Sequence, residues 1–236
     1  MAANLTHVDT WVFDLDNTLY PASCDLFAQI DKRMTSFVAG FLETEPEAAR
    51  AIQKKYYAEH GTTLNGLMLH HGLAPEEFLD FVHDIDLSVL PTGPELRDAV
   101  AALPGRKLVY TNGSRGHAQR VTAKLGLSGL FDGLFGIEDS GYQPKPKKVA
   151  YDVFVRTFNV SPGTSVFFED LARNLAPAKA LGFTTVLVHS DHDWSHEPEE
   201  ARPANEGDDA PPHVDYVTDD LPAFLRSVKT KTKRVP

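Results

Sequence analysis

Cysteine is nearly absent from this chain: Cys24 stands alone among 236 residues. That excludes an intrachain disulfide and a cysteine-based zinc cluster, and it suits a reducing compartment. A small buried side chain describes Cys24 better than a nucleophile does. Long apolar runs are missing too, since no stretch approaches the roughly 18 residues of a membrane helix. The Met1–Asp9 segment has no basic region followed by an apolar one. Neither secretion nor membrane insertion is therefore expected, and the expected location is cytoplasmic. Positive charge is scarce as well: 23 Lys and Arg against 33 Asp and Glu give a net charge of −10. Such a balance argues against binding a nucleic acid polymer, whose affinity comes from clustered Lys and Arg. An anionic substrate would need locally placed cations. The one basic run, Lys229–Arg234, reads as a solvated tail.

What is present is apolar content of 42%, enough for a proper core, distributed in two textures. From Ser23 to about Asp86, Leu26, Ile30, Met34, Phe37 and Phe41 recur at three- and four-residue spacing, without strand-like alternation. Gly61 and Gly72 punctuate this block, and Pro46 and Pro75 stand where helices begin, which predicts four helices. After Pro91, strand candidates 107–110, 165–168 and 184–189 alternate with helical stretches near 94–103, 114–125, 146–158 and 171–181. A shorter strand is expected within 131–137, and the chain closes with an apolar stretch at 214–217 and a helix near 221–228.

Alternation of this kind predicts an α/β fold, a Rossmann-like parallel sheet with helices on both faces, which the strand at 10–15 joins across the helical block. The expected division is a core of residues 1–20 and 91–236 and an inserted all-helical cap of residues 21–90. Paired linkers near Tyr20–Pro21 and Val89–Gly93 suit a hinge. Segment 190–213 is rich in Asp, Glu, His and Pro and reads as a long exposed loop. Within it His192 and His196 have a spacing seen in metal sites, but Pro198 and the lack of helical pattern favour solvated histidines.

Trp11-Val-Phe-Asp-Leu-Asp-Asn-Thr18 places Asp14 and Asp16 two positions apart at the end of an apolar run. In a continuing strand both carboxylates would share one face. Such a pair is tolerable when a divalent cation neutralises it or when one member keeps its proton. Equally, these eight residues suit a strand followed by an Asx-turn. After the strand at 107–110 comes Thr111-Asn112-Gly113-Ser114, a hydroxyl with exposed backbone N–H groups at a helix start. That is a small phosphate cradle, or an Asn-Gly turn with Ser114 as cap. Glu169 and Asp170 follow the strand at 165–168. Converging with Asp14 and Asp16 they would form an oxygen-rich site of the kind Mg²⁺ prefers, whereas Asp170 alone would suit a helix cap. Lys145 stands between Pro144 and Pro146, restricted more than an ordinary loop lysine.

The order of these pieces, Asp-x-Asp-x-Thr, then strand-Thr-Asn-Gly-Ser, then Lys-Pro, then Glu-Asp-x-x-x-Asn ending at Asn174, resembles the haloacid dehalogenase-like hydrolase superfamily over residues 10–189. The helical insertion after the first motif is similar to that superfamily's first cap type. Stretches 13–21, 24–31, 56–68, 82–87 and 168–175 further resemble its pyrimidine 5'-nucleotidase-like branch, although segment 190–213 is longer and more polar than the branch leads one to expect.

The resemblance implies a Mg²⁺-dependent phosphomonoesterase. Asp14 would be the nucleophile that forms an aspartyl-phosphate, and Asp16 the acid and then base. Thr111 and the Asn112 N–H would hold phosphoryl oxygens, with Lys145 as counter-charge. The metal would take the Asp14 carboxylate, the Asp16 carbonyl and Asp170, with Glu169 as ligand or orienter and Asn174 as an orienter behind them. Dehalogenases of the superfamily lack the second acid, so Asp16 favours phosphoryl chemistry. The implied substrate is a nucleoside 5'-monophosphate, pyrimidine preferred, with Tyr56, Tyr57, Thr62, Thr63 and Met68 of the cap as candidate contacts. A sugar-phosphate phosphatase or phosphomutase is the alternative, and a non-catalytic binding protein the third.

Overall fold

The computed structural model describes residues 3–190, 192 and 210–230. Strands β1 (Thr10–Phe13), β2 (Arg106–Tyr110), β3 (Gly133–Phe135), β4 (Ser165–Glu169), β5 (Thr184–Val188) and β6 (Tyr216–Thr218) form one sheet in the order β3-β2-β1-β4-β5-β6. Every neighbouring pair is parallel. Alternation of side chains divides the core between the two faces. Trp11, Phe13, Val109 and Phe168 pack on one side, where Phe13 and Phe168 stack at 4.8 Å; Val12, Leu108, Tyr110 and Phe167 pack on the other.

Helices α5 (Pro94–Ala102), α6 (Arg115–Lys124) and α9 (Leu221–Ser227) cover the first face, and α7 (Lys148–Phe158) and α8 (Ala172–Leu181) the second. Between β1 and β2 run α1 (Leu26–Phe41), α2 (Pro46–His60), α3 (Thr63–His71) and α4 (Pro75–Val82). These four share a separate apolar cluster, including Ile30, Val38, Leu67 and Phe78, which Ile137 of the sheet side joins. Pro46 and Pro75 stand in the first turns of α2 and α4, and Gly61 and Gly72 end α2 and α3 in the left-handed conformation.

Register decides where chemistry can happen. Phe13 is level with Val109 on one side and Phe168 on the other. The residues after these three strands therefore emerge in one row, at the point where the strand order reverses around β1.

Several boundaries differ from expectation. β1 stops at Phe13 rather than Leu15: the chain turns directly after Leu15, whose carbonyl accepts from the Thr18 and Leu19 N–H groups, with Asn17 left-handed (φ 58°). β4 extends through Glu169, and β3 is confined to three residues. α7 starts at Lys148, two residues after the expected Pro146. Pro177 is accommodated inside α8. Asp170 is not the N-cap residue of α8: that position is Leu171, whose N–H donates to Glu169 Oε1 at 3.2 Å. Lys229 pairs with Asn4 in an isolated parallel bridge rather than lying free. His196 and Pro198, with most of segment 190–213 and the basic residues beyond Thr230, lie outside the described residues.

Candidate active site

Asp14 leaves β1 with its N–H on the Phe168 carbonyl (2.9 Å), which fixes its backbone against β4. Its carboxylate accepts from Lys145 Nζ at 2.6 Å and from the Thr18 hydroxyl at 3.3 Å. Lys145 is 1% exposed, and all three ammonium protons are taken: by Asp14, by Glu169 Oε2 at 2.6 Å and by the Tyr110 carbonyl at 3.0 Å. The lysine is held at its own backbone as well. Asn112 accepts from the Lys145 N–H at 2.8 Å and donates to its carbonyl at 3.1 Å, so the β2 loop clamps the Lys-Pro loop. Thr111 is buried, with its hydroxyl accepting from the Gly113 N–H at 2.9 Å, and Ser114 caps α6 through the His117 N–H.

Asp14, Glu169 and Asp170 are buried and bring one carboxylate oxygen each to within 4.8 Å of one another. Three carboxylates face one lysine. Burial, and then the neighbouring Glu169, push Asp14 up to about 8 although Lys145 pulls the other way. The same two causes drive Asp170 well above the carboxylate range. Burial alone would lower Lys145, and the pull of Asp14 and Glu169 more than reverses this. Asn17 and Asn174 each keep a buried Oδ1 without a partner among the described residues. An excess of buried negative charge, an all-oxygen donor set and unfilled acceptors fit a hard divalent cation, and Asp14, Glu169 and Asp170 can hold one.

Asp16 is turned elsewhere. Its Oδ1 accepts from the Tyr20 hydroxyl at 2.5 Å and lies 3.1 Å from Nε2 of the fully buried His117. Burial works to raise this carboxyl, but the neighbouring His117 and the hydrogen bonds from His117 and Tyr20 bring it below its usual value. Strand alternation thus does not set the two aspartates side by side; a turn gives them different partners.

One cavity of about 320 Å³ joins Asp14, Asp16, Thr111, Asn112, Lys145, Glu169, Asp170 and Asn174 to the helical layer above. Its far wall combines apolar Phe27, Met34 and Phe78 with Asp31, Arg50, Gln53 and Lys54. There Asp31 accepts from Arg50 (2.8 Å), Gln53 (2.6 Å) and Lys54 (2.7 Å). Of the expected cap residues, Tyr57, Thr62 and Thr63 line the cavity. Tyr56 and Met68 pack within the cap cluster instead, with the Tyr56 hydroxyl on His71 at 2.8 Å. His192, expected to be solvated, also lines the wall.

Sequence reading did not single out Tyr20, His83, His117 or the Asp31 cluster. Tyr20 stands four residues after Asp16 and His117 three after the Ser114 cap, but no spacing rule marks two residues that meet only through the fold.

The haloacid dehalogenase-like hydrolase family model matches residues 8–182. Phosphate metabolism protein 8 of Saccharomyces cerevisiae is 26% identical over 79% of this chain and 63% of its own length. Enolase-phosphatase E1 of Frankia alni is 36% identical over 53% of this chain and 50% of its own. The chain thus spans less than two thirds of both relatives. The crystal structure of a HAD phosphatase from Thermococcus onnurineus superposes with a TM-score of 0.61 at 17% identity, covering 94% of this chain and 99% of that one. With its motifs gathered at the strand ends and the family match spanning them, the chain belongs to the haloacid dehalogenase-like hydrolases.

Proposed function

We propose that this protein is a Mg²⁺-dependent phosphomonoester hydrolase acting on nucleoside 5'-monophosphates, pyrimidine ones preferred. The observation that carries the chemistry is the division of labour between two neighbouring carboxylates. Asp14 lies against a saturated lysine, where a nucleophile needs its negative charge offset. Asp16 sits outside that charge cluster with one oxygen uncommitted, as an acid–base group requires.

An Asp14 oxygen attacks phosphorus and the bond to the ester oxygen breaks, while Asp16 delivers a proton to the leaving oxygen. An anionic phosphoryl group arriving beside Asp16 favours that protonated form. Water then attacks the aspartyl-phosphate, Asp16 takes the proton back, and the Asp14 carboxylate is restored with release of phosphate. Thr111 and the Asn112 N–H hold phosphoryl oxygens, and Lys145 offsets their charge. The Asp14 carboxylate, the Asp16 carbonyl and Asp170 would hold Mg²⁺, with Glu169 as a further ligand or an orienter and Asn174 orienting them. When bound, the ion adds charge stabilisation at the phosphoryl oxygens.

The helical layer of residues 21–90 acts as the cap that chooses the substrate. Apolar walls with a few convergent polar groups, in a cavity of about 320 Å³, suit a base and ribose beyond the phosphate. Tyr57 offers a ring, with Thr62 and Thr63 as hydrogen-bonding neighbours on the same wall.

Phosphate release from a panel of nucleoside monophosphates and sugar phosphates, with Mg²⁺ and with chelator, tests this. Chelator-sensitive release concentrated on UMP and CMP is expected. Activity spread over sugar phosphates would overturn the nucleotide assignment, and no release from any ester would overturn the chemistry.

A further inference from the structure

The hydrogen bonds to Asp16 are asymmetric. Oδ1 accepts from the Tyr20 hydroxyl (2.5 Å) and lies 3.1 Å from His117 Nε2, whereas Oδ2 has no partner among the described residues. His117 is itself fixed: it is 0% exposed and its Nδ1 is buried without a partner among the described residues. A proton on Nδ1 would therefore be stranded, so the tautomer that fits carries its proton on Nε2 and donates to Asp16. Behind it the ring of His83, which caps the C-terminal end of α4, stacks on His117 at 4.3 Å and 11°. Ser114 holds His83 Nδ1 at 3.1 Å, and Arg120 donates to the His83 carbonyl at 3.0 Å. The stack that steadies Asp16 is thus built half from the core and half from the cap.

We propose that Tyr20 and His117 are positioning residues for the acid–base step, and that by occupying Oδ1 they make Oδ2 the oxygen through which the proton passes. A carboxylic acid whose Oδ1 already accepts two hydrogen bonds carries its own proton on Oδ2. As the phosphorus–ester bond breaks, that proton goes to the ester oxygen and leaves as part of the alcohol. Asp16 remains as a carboxylate until its Oδ2 takes a proton from the water that attacks the aspartyl-phosphate. Every proton given is recovered, and no further reactant is needed. Without the two donors, Asp16 can rotate and share its proton between both oxygens, and the acid then meets the leaving group in only part of the encounters.

This rests on the phosphomonoesterase reading, and a leaving-group series separates the two. Proton donation matters for alkyl esters, whose alkoxide is a poor leaving group, and little for 4-nitrophenyl phosphate, whose phenolate leaves unaided. Tyr20→Phe deletes one hydroxyl and keeps the ring. His117→Leu removes the second donor, and His117→Gln restores an N–H near the Nε2 position. We expect Tyr20→Phe and His117→Leu to lose about 10-fold or more in kcat/KM on alkyl phosphates but no more than about threefold on 4-nitrophenyl phosphate. His117→Gln should recover part of the loss, and the double variant should approach the leaving-group dependence of Asp16→Asn. An equal fall on both ester types in Tyr20→Phe, with an unchanged melting temperature, would overturn the proposal, as would no fall on either. If the wild-type protein cleaved neither ester, the functional reading itself would fail and this proposal with it.

Discussion

Lys145 has no spare proton: Asp14, Glu169 and the Tyr110 carbonyl take all three. Lys145→Met therefore leaves three buried carboxylates with no cation among them. Breaking a buried pair in this way costs about 3–5 kcal/mol. The metal-free variant should melt well below the wild type, and Mg²⁺ should restore much of the loss without restoring turnover. Urea unfolding with and without Mg²⁺, beside a phosphate-release assay, checks both halves. Asp14→Asn keeps the shape and removes the proposed nucleophile, so release should fall to background; wild-type rates in the purified variant would refute the assignment. Asp16→Asn should lose about 10²–10⁴-fold on alkyl esters while still binding phosphate. At this scale Asp14, Thr111, Glu169 and Asp170 were legible because each stands at the end of a strand that the sequence itself declares, and Lys145 because two prolines flank it. Tyr20, His83 and His117 were not, since their role depends on a turn at Asn17 and a ring stack across elements.

His83, at the end of α4, shows how an element depends on its seat. Burial, and then the neighbouring His117, lower it from 6.5 to about 3. The unfolded chain thus binds a proton near 6.5 that the folded chain refuses until about 3. Between these values the unfolded state holds more protons, so stability is full above 6.5 and falls as the pH drops. At about pH 5 the loss from this residue alone approaches ~2 kcal/mol, taking 1.36 kcal/mol per pKa unit. His83→Asn cannot titrate, and its stability should decline less between pH 7.5 and 5 than the wild type's. Parallel denaturation curves at the two pH values check it; identical slopes would show that His83 does not carry the effect. Helices were readable at this scale from apolar spacing, from the Pro starts of α2 and α4 and from the Gly ends of α2 and α3. Strand ends were less so. β1 stops early because the chain turns back on the Leu15 carbonyl, and β4 runs on because Glu169 stays paired in register with Leu187.

For the whole molecule, the proposed function raises the question of how an acidic protein would select an anionic phosphate ester. The charge of −10 repels phosphate in general, so attraction must be local, at Lys145, the helix start after Thr111 and a bound cation. Those groups read only the phosphoryl end, and they would treat every monoester alike. Discrimination then falls to the wall where cap meets core, and there the Arg173 guanidinium of α8 lies 4.6 Å over the Tyr57 ring of α2 and donates to its hydroxyl. Neither partner could be paired from sequence, because 116 residues separate them. If Tyr57 is a wall for the base, Tyr57→Ala should lower kcat/KM on a nucleoside monophosphate by about 10-fold, the worth of one aromatic contact of ~0.5–1.5 kcal/mol at its upper end. The loss should lie in KM, and 4-nitrophenyl phosphate, which barely reaches the cap, should change little. An equal fall in kcat on both substrates would mean that Tyr57 acts through Arg173, by holding α8 and with it Asp170 and Asn174 at the strand end. In that event the wall that reads the base would have to be the Asp31, Arg50 and Lys54 cluster, whose charges answer a hydrogen-bonding edge rather than a ring face.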